Sequence, residues 1–276
     1  MINYREIDNI GFANIFRVYL SGTSSSGKTT WAHKLLKSGL LKFENLLYCY
    51  PDIHEAEPVN WRETLTEKIC FFPGIPDLEY LKALPKRTCI VFDDLFSQCC
   101  ESKNVDFLFR VLSSKHELHV IIMTQRYFAD SKLGLSIRNC CNYHVLLNNA
   151  DARTNMRVAN YMQLKPEITV ATRENSNKAY PYIFIDVTPS ARLSGIRVYL
   201  DIFSEYKIIV IGQMKFYLLK ESDFKASYKI VGENFAVARS EKNESRSKHE
   251  RKRIKREVGE ALQRHKLRSK LEHKNF

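Results

Sequence analysis

The sequence lacks the long apolar run that a membrane-spanning helix requires. Among its 276 residues, no apolar stretch approaches the roughly 18 residues of a transmembrane segment. The first residues, MINYREIDN, also lack the positively charged start and the apolar centre of a secretory signal peptide. These absences predict a protein that stays inside a cell and has no membrane partner.

The sequence is also short of the features that indicate a disulfide framework or a zinc site. Its seven cysteines are odd in number, lie partly within apolar runs and include no C-x-x-C pair, so we expect them to be reduced and structural. The eight histidines are scattered without zinc-ligand spacing. No internal repeat is visible. The sequence is therefore typical of a globular protein that is long enough to bury a large core without disulfides or zinc.

Positive charge is concentrated at the end of the chain. Residues 239–276 contain 14 lysines and arginines and 6 acidic residues, so they carry +8 of the net charge of +12. Large apolar residues are few there and are loosely spaced as on a helix. Two interpretations stay open: a solvated, partly helical tail, or an arm whose clusters Arg251-Lys252-Arg253 and Lys255-Arg256 bind nucleic acid or a partner or act as a nuclear import signal.

A phosphate-binding loop is the clearest motif. Residues 22–29, GTSSSGKT, match G-x-x-x-x-G-K-[ST] at every fixed position, between a β-prone run at 15–20 and a helical pattern at 30–36. In such a loop, backbone N–H groups surround a polyphosphate, Lys28 reaches its outer phosphates and Thr29 binds Mg²⁺. The residues predicted to bind ATP are Gly22, Thr23, Ser24, Ser25, Ser26, Gly27, Lys28, Thr29 and Thr30.

Two acidic residues follow a second strand. Residues 89–92, CIVF, read as a buried parallel strand that ends at Asp93 and Asp94, with 64 residues between Lys28 and Asp93. This is a Walker B pattern, in which Asp93 holds Mg²⁺ through water and Asp94 orients the attacking water as general base. A third strand, residues 120–124, ends at Gln125. Its neutral amide suits a sensor that touches the γ-phosphate or the lytic water.

Strands that alternate with helices predict an α/β fold, a P-loop NTPase three-layer sandwich of the ASCE/RecA-like type with a mostly parallel sheet. Further strands are predicted at 45–50, 69–72 and 143–147, and helices from Asp77, over 105–112 and over 151–163, with a polar loop through Leu135. Strands at 180–187, 196–202 and 206–211 are predicted to be antiparallel or edge strands, because their connections are too short for crossover helices. We divide the chain into an ATPase domain (1–214), a connecting segment (215–238) and a basic tail (239–276).

Taken together, these motifs resemble the FtsK-HerA superfamily of P-loop ATPases, and within it the genome-packaging ATPases of poxvirus-type large DNA viruses, virophages and Polinton or adintovirus elements. The resemblance runs from about Phe16 to Ile202. The stretches that carry it are GTSSSGKTT, CIVFDDL, VIIMTQRYF, SIRNCCNYHVLLNNADARTNMRVANYM and PYIFIDVTPSARLSGIRVYLDIF. The resemblance implies phosphate binding by Gly27, Lys28 and Thr29, Mg²⁺ binding by Thr29 and Asp93, and catalytic positions at Asp94 and Gln125. It also implies an arginine that acts across a subunit interface, for which Arg138 is the first choice, followed by Arg126 and Arg153.

The expected function is therefore an ATP-hydrolysing translocase that packages viral double-stranded DNA into capsids. Its expected partners are double-stranded DNA, other copies of itself in a ring, and a capsid or portal protein, in the host nucleus or cytoplasm at sites of virus assembly. One alternative is a superfamily 3 viral helicase, although that class prefers Asn where Gln125 stands. A non-catalytic nucleotide-binding scaffold is another, against which the intact Lys28, Asp93 and Asp94 argue. A small-molecule kinase is disfavoured because no arginine-rich lid follows the core.

Overall fold

The computed structural model describes residues 13–51, 61–65, 67–128, 131–147, 152–175, 181–188 and 197–203, together with the backbone of strands at 207–211, 214–218, 229–231 and 235–237. The predicted basic tail at 239–276 and the predicted first residue of a helix, Asp151, lie outside these residues.

The described residues form twelve strands and nine α-helical segments. The strands are β1 (Arg17–Ser21), β2 (Asn45–Tyr50), β3 (Lys68–Pro73), β4 (Thr88–Phe92), β5 (His119–Thr124), β6 (Tyr143–Leu147), β7 (Tyr182–Asp186), β8 (Arg197–Asp201), β9 (Lys207–Ile211), β10 (Met214–Leu218), β11 (Lys229–Val231) and β12 (Phe235–Val237). The helices are α1 (Lys28–Lys37), α2 (Trp61–Thr64), α3 (Leu78–Ala83), α4 (Phe96–Cys99), α5 (Lys103–Phe107), α6 (Ser113–Lys115), α7 (Lys132–Cys140), α8 (Ala152–Tyr161) and α9 (Lys165–Asn175).

One sheet contains all twelve described strands, in the order β11-β12-β10-β9-β8-β7-β6-β1-β5-β4-β2-β3. Six neighbouring strands, in the order β6-β1-β5-β4-β2-β3, are parallel to one another. β1 lies between β5 and β6, with Val18 opposite Ile121 on one side and Tyr143 on the other. Parallel strands all end at one edge of the sheet, which is where such folds bind ligands. The predicted α/β P-loop NTPase fold is thereby confirmed.

Beyond β6 the sheet continues with antiparallel strands. β7 pairs with β6, and β8, β9 and β10 follow in turn, each antiparallel to the one before. The antiparallel pairing predicted for the strands at 180–187, 196–202 and 206–211 is confirmed. All but the first residue of β10, together with β11 and β12, lies in the predicted connecting segment at 215–238. These three strands were not predicted.

Helices cover both faces of the parallel strands, which explains why these strands read as continuous apolar runs. Alternate side chains of β1 enter different layers of the core. Leu20 packs in a cluster with Trp31 of α1, whereas Tyr19 packs in a second cluster that contains Leu108 and Ile137. The sheet therefore forms the middle of three layers, and α1 and α7 lie on opposite sides of it.

The predicted polar loop through Leu135 is wrong in its second half, because α7 begins at Lys132. Ser131 caps this helix: its Oγ accepts a hydrogen bond from the N–H of Gly134 at 2.9 Å. A glycine in the first turn is a poor helix former and hides the helix from a propensity-based prediction. Ile137, fully buried against the sheet, supplies the tertiary packing that stabilises it.

Two other helical regions also differ from the prediction. The helix predicted over 105–112 begins earlier, after Ser102, whose Oγ accepts a hydrogen bond from the N–H of Val105 at 3.3 Å. It widens into a π-helical turn at Leu108–Leu112 and ends with α6, so the polar residues before β5 are still helical. α9, whose Ile168 and Ala171 are buried, was not predicted from the sequence.

No helix in the described parts of the chain is long and apolar enough to cross a membrane. All seven cysteines are free thiols. Burial raises the pKa of the four buried thiols well above the ordinary value, which keeps them protonated and poorly nucleophilic at neutral pH. The buried cysteines are Cys49, Cys89, Cys99 and Cys141.

Candidate nucleotide-binding and catalytic site

The three predicted motifs meet at the carboxyl edge of the parallel strands. β1 leads into the phosphate loop, β4 ends before Asp93, and β5, which lies between them, ends before Gln125. The N–H of Gly22 donates to the carbonyl of Thr124 at 3.0 Å, so the loop is tied directly to the end of β5. The N–H of Asp93 donates in the same way to the carbonyl of Cys49 at 3.0 Å.

The two glycines of the loop are required by its shape. A Cβ on Gly22 would lie 2.4 Å from Ser26 Oγ and 2.8 Å from Leu147 Cβ, both far inside contact distance. Gly27 has a φ of +90°, a left-handed conformation that strains residues with a side chain. The loop is therefore tightly packed at Gly22, where it begins, and has a left-handed backbone at Gly27, just before α1.

The end of the loop presents hydrogen-bond donors to an anion. Gly27 is the N-cap of α1 and has no side chain with which to cap the helix, and the first turn contains no acidic residue. The first N–H groups of α1 are thus available to a phosphate, which the helix dipole also favours. Ser26 Oγ, buried inside the loop, finds no hydrogen-bond partner among the described residues. Thr23, Ser24, Ser25 and Thr30 are exposed. A polyphosphate fits this set of donors.

Lys28 lies across the loop. Its Nζ donates to the carbonyl oxygens of Gly22 and Thr23, each at 2.9 Å. Burial lowers the pKa of Lys28, and the nearby carboxylates of Asp94 and Asp93 oppose that shift. The ammonium group is therefore partly withdrawn from water, and its hydrogen-bond partners among the described residues are neutral carbonyls, which phosphate oxygens can replace.

Thr29 and Asp93 bring a hydroxyl and a carboxylate together. Thr29 Oγ1 donates to Asp93 Oδ2 at 3.4 Å. The pKa of Asp93 is raised, mainly by burial. Hydrogen bonds from Tyr48 and Thr29 and the charge of Lys28 oppose that shift. A hydroxyl and a half-buried carboxylate are hard oxygen ligands of the kind that Mg²⁺ prefers. The donor set fits Mg²⁺, and a bound cation would favour the charged form of Asp93.

Asp94 turns away from Asp93 towards the end of β5. It has a φ of +53°, a left-handed conformation uncommon outside glycine, although Asp tolerates it better than most residues. Gln125 Nε2 donates to Asp94 Oδ1 at 3.3 Å, and both side chains are exposed. Consecutive carboxylates thus have different partners: Asp93 faces Thr29 and Asp94 faces Gln125.

An open cleft lies beside Asp94 and Gln125. Its volume is about 610 Å³, and it extends from the ends of β4 and β5 to the start of α7. Acidic, basic and hydroxyl side chains share its wall. They include Asp94, Glu101, Gln125, Arg126 and Ser131. The candidate general base therefore faces an open space large enough for a ligand group.

Arg138 does not reach this cleft. It is only 3% exposed, and its guanidinium lies 5.3, 5.1 and 4.9 Å from the ring centroids of Tyr127, Phe128 and Tyr161. It also donates to the carbonyl of Tyr127 at 3.3 Å. An arginine that acts on a neighbouring subunit must be exposed, so this aromatic cage does not fit the role that the resemblance implied for Arg138.

The two other arginines considered for that role are exposed. Arg126 follows Gln125 and lines the cleft. Thr124 fixes its backbone, because Thr124 Oγ1 accepts from the N–H of Arg126 at 3.1 Å and donates to its carbonyl at 2.8 Å. Arg153 lies on α8. Arg126 is therefore the only one of the three that the structure places beside Asp94 in the described cleft.

One residue of this site, Tyr48, belongs to none of the three motifs and was not predicted. Its hydroxyl donates to Asp93 Oδ2, and the residue is 2% exposed. A buried tyrosine needs a partner for its hydroxyl. The apolar run of β2 shows that Tyr48 is buried, but no spacing rule connects it to Asp93.

Comparisons with known proteins found similarity in structure only. The sequence matches no protein-family model and no curated protein. The genome packaging NTPase B204 from Sulfolobus turreted icosahedral virus 2, in complex with AMPPCP, is similar over 70% of this chain and 100% of its own, with 13% identity and a TM-score of 0.45. The Legionella pneumophila ATPase DotB matches over 52% of this chain and 42% of its own, with 11% identity and a TM-score of 0.31. EscN, the type III secretion ATPase of enteropathogenic E. coli, matches over 58% and 47%, with 13% identity and a TM-score of 0.33.

Proposed function

We propose that this chain is a Mg²⁺-dependent ATPase that moves double-stranded DNA, and that it serves the packaging of viral DNA into capsids. The observation that carries the ATPase proposal is the divergence of Asp93 and Asp94 beside the phosphate loop. A nucleotide-binding scaffold needs only the loop. A hydrolase also needs one carboxylate for the metal and a second for the attacking water, and both are supplied here.

The chain's own groups divide the reaction among them. The N–H groups at the start of α1 and the ammonium of Lys28 hold the phosphates, and Thr29 and Asp93 hold Mg²⁺. When bound, Mg²⁺ neutralises charge on the phosphate oxygens and fixes their geometry. Asp94 accepts the proton of the attacking water, and Gln125, 3.3 Å away, keeps that carboxylate in place.

Arg126 is the arginine that we propose for charge stabilisation. It is exposed and lines the same cleft as Asp94. Because it lies beside Asp94 of its own subunit, it would act in cis on the nucleotide bound in that same site, as the arginine of some other NTPases does. Arg138 is proposed instead to support the loop after Gln125 from within its own subunit.

The DNA-translocating part of the proposal is supported by the sequence resemblance and by the positive charge of residues 239–276. Lysines and arginines that contact the phosphate backbone bind DNA without regard to sequence, and the affinity falls steeply with salt. Such contacts suit a motor that must move along any sequence. A capsid or portal protein would receive the DNA.

Steady-state ATP hydrolysis with and without linear double-stranded DNA tests this proposal. We expect DNA to stimulate turnover and Lys28→Ala to lower it by about 100-fold or more, because one preorganised donor to the phosphates is lost. Lys37→Ala is the matched control, since Lys37 is an exposed lysine in the last turn of the same helix. It should hydrolyse ATP at the wild-type rate.

The other outcomes separate the alternatives. Stimulation by single strands alone would favour a helicase over a translocase. Nucleotide binding without any hydrolysis would favour a scaffold. If Lys28→Ala and Lys37→Ala behaved alike, the hydrolysis measured would not come from the phosphate loop, and the proposal would be wrong.

A further inference from the structure

The Asp93 carboxylate, which is proposed to bind Mg²⁺, is also contacted by residues outside the three motifs. Tyr48 of β2 donates its hydroxyl proton to Asp93 Oδ2, the same oxygen that accepts from Thr29 Oγ1 at 3.4 Å. β2 also holds the backbone of Asp93, whose N–H donates to the carbonyl of Cys49 at 3.0 Å. Two neighbouring residues of β2 therefore fix both the main chain and the side chain of Asp93.

The ring of Tyr48 is itself held by two aromatic neighbours. The edge-to-face contact with Trp61 has a centroid separation of 5.0 Å, and Phe71 of β3 lies 5.7 Å away. Trp61 is the first residue of α2 and is 4% exposed. With its ring packed in this way, Tyr48 has little freedom to move its hydroxyl away from Asp93.

α2 is in turn attached to the helix that carries Thr29. Thr64 Oγ1 and His33 Nε2 are 2.7 Å apart, and the His33 and Trp61 ring centroids are 5.1 Å apart. His33 lies one turn after Thr29 on α1. Thus α1 contacts α2, α2 contacts Tyr48, and Tyr48 contacts Asp93, which in turn contacts Thr29 of α1.

We propose that Tyr48 is a positioning residue that fixes the orientation of the Asp93 carboxylate for Mg²⁺, with Trp61 as the support that holds its ring. The inference rests on the proposed function, which assigns Asp93 to the metal. A neutral phenol is suited to this task, because it donates a hydrogen bond without neutralising the carboxylate as a lysine or arginine would. The hydrogen bonds from Tyr48 and Thr29 both end on Oδ2, so the direction of Oδ1 is fixed as well. Partners of this kind, one step removed from a metal, tune its affinity.

The test is the Mg²⁺ dependence of nucleotide binding, measured with a fluorescent ADP analogue and the full chain. Tyr48→Phe removes the hydroxyl and keeps the ring. We expect it to raise the Mg²⁺ concentration at half-saturation about tenfold or more, the effect usual for a lost partner of a metal ligand. Binding of the analogue without Mg²⁺ should stay as in the wild type, which a merely structural defect would not leave intact.

Tyr50→Phe is the matched control. Tyr50 lies on the same strand and its ring also packs against Phe71, at 6.5 Å, so the same change is made two residues away. Its Mg²⁺ dependence should equal that of the wild type. If Tyr48→Phe fails to fold, Trp61→Phe, which keeps the hydroxyl and shortens its support, should raise the Mg²⁺ requirement in the same direction.

If the wild type binds Mg²⁺ and nucleotide together and Tyr48→Phe has an unchanged or lower Mg²⁺ requirement, this inference is wrong. If the wild type itself showed no Mg²⁺-dependent nucleotide binding, the assignment of Asp93 would fail, and with it the proposed function on which the inference rests.

Discussion

Gln125 Nε2 lies 3.3 Å from Asp94 Oδ1 and donates a hydrogen bond to it across the ends of two adjacent strands. The pair exists because β5 lies beside β4, with Ile122 opposite Phe92, and because the left-handed backbone of Asp94 turns its carboxylate in that direction. The contact gives Asp94 a different partner from those of Asp93, whose side chain accepts hydrogen bonds from Thr29 and Tyr48.

The two carboxylates should therefore respond differently to loss of charge. Asp94→Asn is expected to lower kcat about 100-fold to 10,000-fold, the usual contribution of a general base, with little change in nucleotide affinity. Asp93→Asn should instead weaken binding of the Mg²⁺ complex of the nucleotide. Single-turnover hydrolysis combined with binding measurements with and without Mg²⁺ distinguishes the two. If the effects of the two variants were exchanged, the assigned roles would be wrong.

Gly22→Ala tests the shape of the phosphate loop. The new Cβ would lie 2.4 Å from Ser26 Oγ and 2.8 Å from Leu147 Cβ, so the loop must open. We expect nucleotide affinity to fall at least about tenfold and the free energy of unfolding to fall by about 1–3 kcal/mol, as in other overpacked sites. Isothermal titration with ATP analogues and urea unfolding measure the two effects.

Gly39→Ala is the control for that experiment. Gly39 has a φ of +70° and nothing within 4 Å of the position of a Cβ. The substitution should reduce stability through backbone strain alone, by about 1–2 kcal/mol. A loss of nucleotide affinity as large as that in Gly22→Ala would show that general destabilisation, and not the loop, determines binding.

The two arginines should be separable by their effects on stability and on turnover. Arg138→Ala removes a buried cation from the rings of Tyr127, Phe128 and Tyr161, so we expect the free energy of unfolding to fall by about 2 kcal/mol. Arg126→Ala should fold normally and lose turnover. When mixed with wild type, Arg126→Ala should lower hydrolysis only in proportion to its share of the subunits, because it acts in its own site. Suppression beyond that proportion by Arg126→Ala would place Arg126 between subunits, and the same result with Arg138→Ala would restore Arg138 in that role.

His144 predicts a pH dependence of stability. Burial, reinforced by the charge of Arg138, lowers the pKa of His144 from 6.5 to about 3. Its Nδ1 lies 3.1 Å from the hydroxyl of Tyr127, inside the core. As the pH falls below the ordinary histidine value, the unfolded chain binds a proton that the folded chain does not. The free energy of unfolding should therefore fall by up to about 1.4 kcal/mol per pH unit from this residue alone, down to the folded-state pKa.

Urea unfolding at several values between about pH 7 and about pH 5 measures this slope. His144→Gln removes the titrating group and should make the slope shallower by the same amount. Equal slopes in wild type and variant would show that other groups determine the pH dependence.

Local sequence was sufficient wherever a feature depends on consecutive residues. The strands predicted at 45–50 and 143–147 have the predicted bounds. The helix predicted from Asp77 is α3, and Asp77 is its N-cap, with its Oδ1 accepting from the N–H of Tyr80 at 2.8 Å. The phosphate loop, with its strand before and helix after, is confirmed as a local structure, because glycine conformation and helix capping depend on a few neighbouring residues.

The contacts between motifs needed the fold. Tyr48 and Asp93 are 45 positions apart in the chain, and Gln125 and Asp94 are 31 apart, so only strand order and register bring them together. The burial of Arg138 likewise depends on α8, which brings Tyr161 against it. The sequence by itself determined the phosphate loop, the acidic pair and the type of fold, since each is encoded in a short pattern. The tertiary structure alone decided which side chains contact the two carboxylates and which arginine lines the cleft, because those contacts depend on packing between distant segments.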